Sequence, residues 1–140
     1  MSTAIVLMDM FLILFPLFLL LVGWLLKRHH SQYPNTFCGY HVGKIASKSE
    51  SAWNEVNLHC GVLLIRTGSV ALLLNFGFAF LLTFGAGDQF EKTVMWALVA
   101  ILMLMLSICV PTLLSILLTE RHLKRNMIRT ISRRGAQRDK

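Results

Sequence analysis

Three long apolar blocks constrain this 140-residue chain more than any other feature of its sequence. They cover residues 4–26, 62–84 and 94–118. Each holds about the 20 apolar residues that an α-helix needs to cross the hydrocarbon core of a bilayer. The cores of soluble proteins instead spread their apolar residues at a period of 2 or 3.6. The chain is also only 15% charged, against about 25% in soluble domains. We therefore predict an all-α, single-domain integral membrane protein with three transmembrane helices.

The basic residues predict how the chain is oriented in the membrane. They concentrate in the loop of residues 27–61 and in the tail of residues 119–140. The residues before the first block contain no Lys or Arg, and the connector of residues 85–93 contains only Lys92 beside Asp88 and Glu91. By the positive-inside rule, the loop and the tail are cytoplasmic and the N-terminus is outside. The net charge of +7 then serves membrane orientation and anionic lipids, and we predict no nucleic-acid partner.

The end of the loop predicts a short amphipathic helix that leads into the second span. Ser47 and Glu50 have the spacing of a capping box, with Ser47 as the N-cap. Ala52, Trp53, Val56 and Cys60 then fall on one apolar stripe of a helix. We expect this helix to lie at the cytoplasmic membrane surface.

Polar residues inside the predicted spans are candidates for helix contacts or for a site. Arg66 and Glu120 fall at the cytoplasmic ends of spans two and three, so they could pair; alternatively, Arg66 extends its side chain to the lipid phosphates. Asn75 lies near the middle of the membrane, where its amide needs a partner on another helix. The alternative for Asn75 is a substrate or ion site.

The sequence carries no pattern typical of catalysis. It has no nucleophile–base pair, paired carboxylates, P-loop or dinucleotide fingerprint, so we expect no enzymatic activity and no cofactor. Cys38, His41, His59 and Cys60 have the chemistry of zinc ligands, but adjacent residues on a helix point apart, and we predict no metal site. The odd number of cysteines argues against a disulfide framework.

The loop and the short helix predicted at its end resemble the SdpI immunity-protein family, a group of small multi-span bacterial membrane proteins. The family pattern is Asn, a spacer, Gly-Tyr-Arg-Thr, a Ser-rich stretch, Trp, and Asn or Gln about four residues later. This chain has Asn35, then Gly39-Tyr40-His41-Val42, the serines between 47 and 51, Trp53 and Asn57. His41-Val42 replaces the family's Arg-Thr, and a histidine cannot form the bidentate fork of an arginine.

The resemblance implies a non-enzymatic protein of the bacterial inner membrane that acts in immunity to a secreted peptide or in signal transduction. It would bind a protein partner, or a second copy of itself, through the loop and tail. The candidate contact residues are Asn35, Gly39, Tyr40, His41, Trp53 and Asn57. For Tyr40 and Trp53 the alternative is anchoring at the membrane interface. The alternative functions are an accessory subunit of a larger transport or secretion complex, and a small oligomeric transporter.

Overall fold

The computed structural model describes residues 3–33, 39–41, 49–85 and 90–138, and these residues form three α-helices. Helix α1 runs over Thr3–Arg28, α2 over Glu50–Gly85 and α3 over Phe90–Arg138. There is no β-strand in this part of the chain. Each predicted span lies inside one helix, so the all-α fold predicted from the apolar blocks is confirmed.

The helix ends follow from local sequence. Lys27 and Arg28 occupy the last turn of α1, where cations interact favourably with the helix dipole. At the start of α2, the backbone N–H of Ala52 donates to the Ser49 hydroxyl at 3.3 Å, which makes Ser49 the N-cap. The predicted N-cap, Ser47, lies outside the described residues. Glu50 opens the helix instead of occupying its third position.

The predicted amphipathic helix forms the first turns of α2 and is not a separate element. Helix α2 continues for 36 residues from Glu50, through the polar segment and into the apolar block. The basic tail is helical to Arg138 as part of the 49-residue α3.

Neighbouring helices run antiparallel, and α1 packs closely on α2 through two glycines. A Cβ atom placed on Gly61 would lie 2.6 Å from the carbonyl oxygen of Gly23 and 2.8 Å from the backbone nitrogen of Lys27. A Cβ on Gly23 would lie 2.9 Å from the carbonyl oxygen of Gly61. Small residues at such crossings let helix backbones approach in membranes, where dispersion contacts replace the hydrophobic effect. The glycine pair therefore fixes how closely α1 and α2 approach.

The outer surface of the bundle is apolar. In the most apolar window of each helix, only 17–28% of the residues are buried inside the protein. Large side chains such as Phe11, Phe18, Leu73, Leu74 and Phe80 are exposed. An apolar surface this extensive is not stable in water but matches the acyl chains of a bilayer. The chain is therefore a multi-pass membrane protein with three transmembrane helices.

The bundle has two chemically different ends. We call the end where α1 finishes, α2 begins and α3 passes Thr119 the basic end. At the opposite end, Leu12, Ala79 and Ala100 form a small apolar cluster. The Thr83 hydroxyl donates there to the Asp9 carboxylate at 2.9 Å. The larger core cluster, with Trp53, Val56, Cys60 and Leu123, lies at the basic end, and there the loop meets the helices.

Candidate functional site: the polar cluster at the basic end

The loop after α1 is fastened to α2 by Asn57. The backbone N–H of Tyr40 donates to Asn57 Oδ1 at 2.7 Å, and Asn57 Nδ2 donates to the carbonyl of Trp53 at 2.8 Å. Asn57 is completely buried. Burial strengthens these hydrogen bonds and would make an unpaired amide costly. Asn57 therefore holds the backbone of the loop in place.

Trp53 holds the loop at two points. Its indole N–H donates to the carbonyl of Ser31 at 2.7 Å, just after α1. Gly39 lies against its ring, since a Cβ on Gly39 would be 2.5 Å from Trp53 Cζ2 and 2.7 Å from Asn57 Oδ1. Only a residue without a side chain allows this approach. Gly39 thus lets the loop backbone lie directly on the indole ring.

Tyr40 connects the same loop to α3. Its side chain is buried, and its hydroxyl donates to Glu120 Oε1 at 3.2 Å. Burial, followed by the charge of Glu120 and this hydrogen bond, raises the pKa of the Tyr40 phenol above its ordinary value of 10.0. The phenol therefore stays protonated and remains a donor to Glu120 at neutral pH.

A second group of polar side chains links α2 to α3. His122 Nε2 lies 2.8 Å from Glu55 Oε1, and Asn126 Nδ2 donates to the same carboxylate oxygen. The rings of His59 and His122 stack with centroids 4.2 Å apart and planes inclined by 10°. His59 Nδ1 lies 3.3 Å from the Thr119 hydroxyl. These five side chains thereby tie the first turns of α2 to the part of α3 that leaves the apolar span.

This second group was not predicted from the sequence. The structure places Glu55 against His122 and Asn126. The sequence did contain one pattern that points to this group: the spacing of Thr119, His122 and Asn126 places them on one face of α3. Their partners could be identified only once the register between α2 and α3 was known.

Three of the predicted contact residues face inward. Tyr40, Trp53 and Asn57 are buried, so in this conformation they bind the loop to the helices and do not offer a surface to a partner. Tyr40 and Trp53 therefore pack inside the protein and do not act as anchors at the membrane interface. His41 is exposed, with its ring centroid 5.7 Å from that of Trp53. Asn35 lies outside the described residues.

Asn75 joins all three helices in the middle of the bundle. Its amide donates to the carbonyl of Leu12 at 2.8 Å and to the Ser107 hydroxyl at 3.1 Å. The Leu12 carbonyl lacks its usual helical donor, because the residue four positions on is Pro16, which has no N–H. Asn75 supplies the missing donor. The prediction that its amide finds partners on other helices is confirmed.

Arg66 and Glu120 do not form the pair considered from the sequence. Within the described ranges, Glu120 accepts from Tyr40, and no ion pair joins it to Arg66. The Arg66 side chain is exposed, which fits the alternative in which it reaches toward lipid phosphates.

No metal site is apparent where side chains are described. No group of three or more His, Cys, Asp or Glu residues there is arranged to hold a metal ion. Cys60 is buried and Cys109 is exposed. Cys38, one of the four residues with zinc-ligand chemistry noted in the sequence, lies outside the described residues.

Comparison of the chain with protein-family models, with curated proteins and with solved structures finds no match. The resemblance to the SdpI family therefore rests on the loop residues quoted above.

Proposed function

We propose that this chain is a non-enzymatic interaction protein of the bacterial inner membrane, similar in role to SdpI-type immunity and signal-transduction proteins. In this proposal the basic end faces the cytoplasm and the N-terminus faces outward. The loop and α3 together bind a protein partner with an acidic surface.

The observation that carries the proposal is that α3, where it continues past the apolar span, has one buried face and one exposed basic face. Thr119 and Leu123 are buried at the basic end of the bundle. Arg121, Lys124 and Arg125 are exposed on the other face. A helix that is packed on one side and basic on the other offers a pre-ordered surface to an acidic partner. Pre-ordering lowers the entropy lost on binding.

The hydrogen bonds that hold the loop against α2 and α3 support the same proposal. Tyr40 is bonded to Asn57 on α2 and to Glu120 on α3, so the described part of the loop is held against both helices. The exposed His41 lies on this side of the bundle. Loop and helix therefore form one surface, and a partner can contact both.

The contacts of Asn75 weigh against the transporter alternative. Both of its donated hydrogen bonds go to other helices, at 2.8 and 3.1 Å. An intramembrane polar residue used by a substrate or ion faces a pathway. Asn75 instead completes the packing of the three helices.

The test is affinity capture of the tagged full-length protein from detergent-solubilised bacterial membranes, with identification of bound proteins by mass spectrometry. We expect a cytoplasmic regulatory protein that is lost when Arg121, Lys124 and Arg125 are all replaced by Gln. The capture should weaken as salt rises, because exposed charge pairs are screened. A double variant with Lys27→Gln and Arg28→Gln is the matched control and should keep the partner.

Three results would count against the proposal. Equal capture by the triple variant would remove the basic face as the contact. A stoichiometric polytopic partner would favour the accessory-subunit alternative. Export of a reporter enzyme fused after Lys140 would reverse the proposed orientation.

A further inference from the structure

A groove between α2 and α3 opens sideways toward the surrounding lipid. Its volume is about 550 Å³, within the roughly 300–1,000 Å³ of typical ligand sites. It exists because its floor is made of small or compact residues and its walls are made of longer ones. Ala71, Ser107 and Pro111 are buried at the floor, while Val70, Leu74 and Val110 are exposed at the walls.

The groove is lined almost entirely by apolar atoms, although polar residues stand at both of its ends. Arg66 and Thr67 line the end nearer the basic end of the bundle, and Asn75 and Ser107 line the deep end. Arg66 is exposed and forms neither a hydrogen bond nor an ion pair with another described residue. The groove therefore has one cation at its mouth that lacks a counter-charge from the described part of the protein.

The length of the groove fits one leaflet of a bilayer. Asn75 follows Arg66 by nine positions on α2, which corresponds to about 13.5 Å along the helix. Half of a hydrocarbon core is about 15 Å. An acyl chain that lies along this groove with its headgroup at Arg66 would end near the middle of the membrane.

We propose that this groove binds one anionic phospholipid, with its phosphate at Arg66 and one acyl chain along the floor toward Asn75. The guanidinium supplies paired N–H donors for phosphate oxygens. The walls supply apolar contact, and Asn75, already bonded to Leu12 and Ser107, closes the deep end. The exposed basic residues of α3 near the same membrane surface add attraction for an anionic headgroup.

The experiment measures lipid retained by the full-length protein. The protein is equilibrated in mixed micelles with equimolar phosphatidylglycerol and phosphatidylcholine, and its bound lipids are counted by native mass spectrometry. We expect one retained lipid per chain with a strong preference for phosphatidylglycerol. Arg66→Gln should reduce that preference about fivefold, the effect of one cation near an anionic headgroup, because phosphatidylcholine has the same phosphate but no net charge. Arg28→Gln removes an exposed arginine of α1, outside the groove, and should leave the preference unchanged.

A second pair of variants tests the acyl-chain part of the site. Val110→Trp fills the groove from its exposed wall and should lower the retention of both lipids severalfold. Leu98→Trp adds the same bulk at an exposed position of α3 outside the groove and should change nothing.

Several outcomes overturn the proposal. They are a wild-type protein without retained lipid, an unchanged preference in Arg66→Gln, an equal loss of preference in Arg28→Gln, and full retention in Val110→Trp. A lipid-free dimer would make a second copy the occupant of the groove instead.

Discussion

The contact between Asn75 and Leu12 gives a sharp test of how this bundle is held together. Asn75→Leu keeps the side-chain size and removes the amide. It leaves the Leu12 carbonyl without a donor, since Pro16 has no N–H to offer it. Pro16→Ala restores an N–H at the position that normally bonds the Leu12 carbonyl. The two substitutions should therefore not be additive.

The expected magnitudes follow from the bonds that are lost. Hydrogen bonds between helices in membranes contribute about 0.6 kcal/mol on average and up to about 1.7 kcal/mol. An unpaired buried carbonyl adds a cost within about 1–3 kcal/mol. Asn75→Leu removes two such bonds, so we expect it to lower the free energy of unfolding by about 2–3 kcal/mol. In the Pro16→Ala background the cost should be about 1 kcal/mol smaller.

The assay is a double-mutant cycle based on equilibrium unfolding in mixed micelles, which is monitored by circular dichroism. Ser69→Ala is the matched control, because its hydroxyl donates at 2.8 Å to Ile65 within α2 and does not link two helices. That control should cost little and should not couple to Pro16. Additive effects of Asn75→Leu and Pro16→Ala would refute the idea that Asn75 replaces the donor that proline lacks.

Two further predictions concern the glycines of α2 and the tyrosine of the loop. Gly61→Ala should destabilise the protein by about 1–3 kcal/mol, because its new methyl group meets the backbone of α1. Gly77→Ala should stabilise the same helix by about 1 kcal/mol, since a Cβ there has nothing within 4 Å; equal effects in thermal unfolding would contradict the close approach. For Tyr40, absorbance titration in a Tyr33→Phe background should place phenolate formation well above pH 10, because burial and the adjacent carboxylate raise the phenol pKa. The stability that this phenol contributes is complete below about pH 10 and is lost as the pH rises through the raised pKa; an ordinary midpoint would show that the phenol is not held as described.

The fold could be predicted from the sequence because its strongest determinant is local. Each apolar block is long enough to cross a bilayer by itself, whatever its neighbours do. The helix ends were harder to predict, since the sequence offers both Ser47 and Ser49 as caps for α2, and the hydrogen bond from the Ala52 N–H identifies Ser49. Nothing in the sequence separates the amphipathic stripe from the second span, and the helix runs through both.

The polar contacts at the basic end depended on information that one sequence does not contain. The sequence does not distinguish whether Trp53 and Tyr40 are interfacial anchors or buried residues. Each has an apolar body and a polar tip, which suits both roles. Their burial depends on where the loop folds back. The bond between Glu55 and His122 likewise depends on the register of α2 and α3. Asn75 was predictable in kind, since an amide inside a membrane must find a partner, but its specific acceptor was not.

The unbroken course of α3 has a mechanical consequence. From Thr119 to Arg138 the helix extends about 30 Å beyond the apolar span, at 1.5 Å per residue. Such an arm converts tilt into displacement, so that its far end moves about 5 Å for every 10° by which the rod leans. A change in bilayer thickness tilts helices. The far end of α3 would then move sideways, outside the membrane, by more than any helix atom moves inside it.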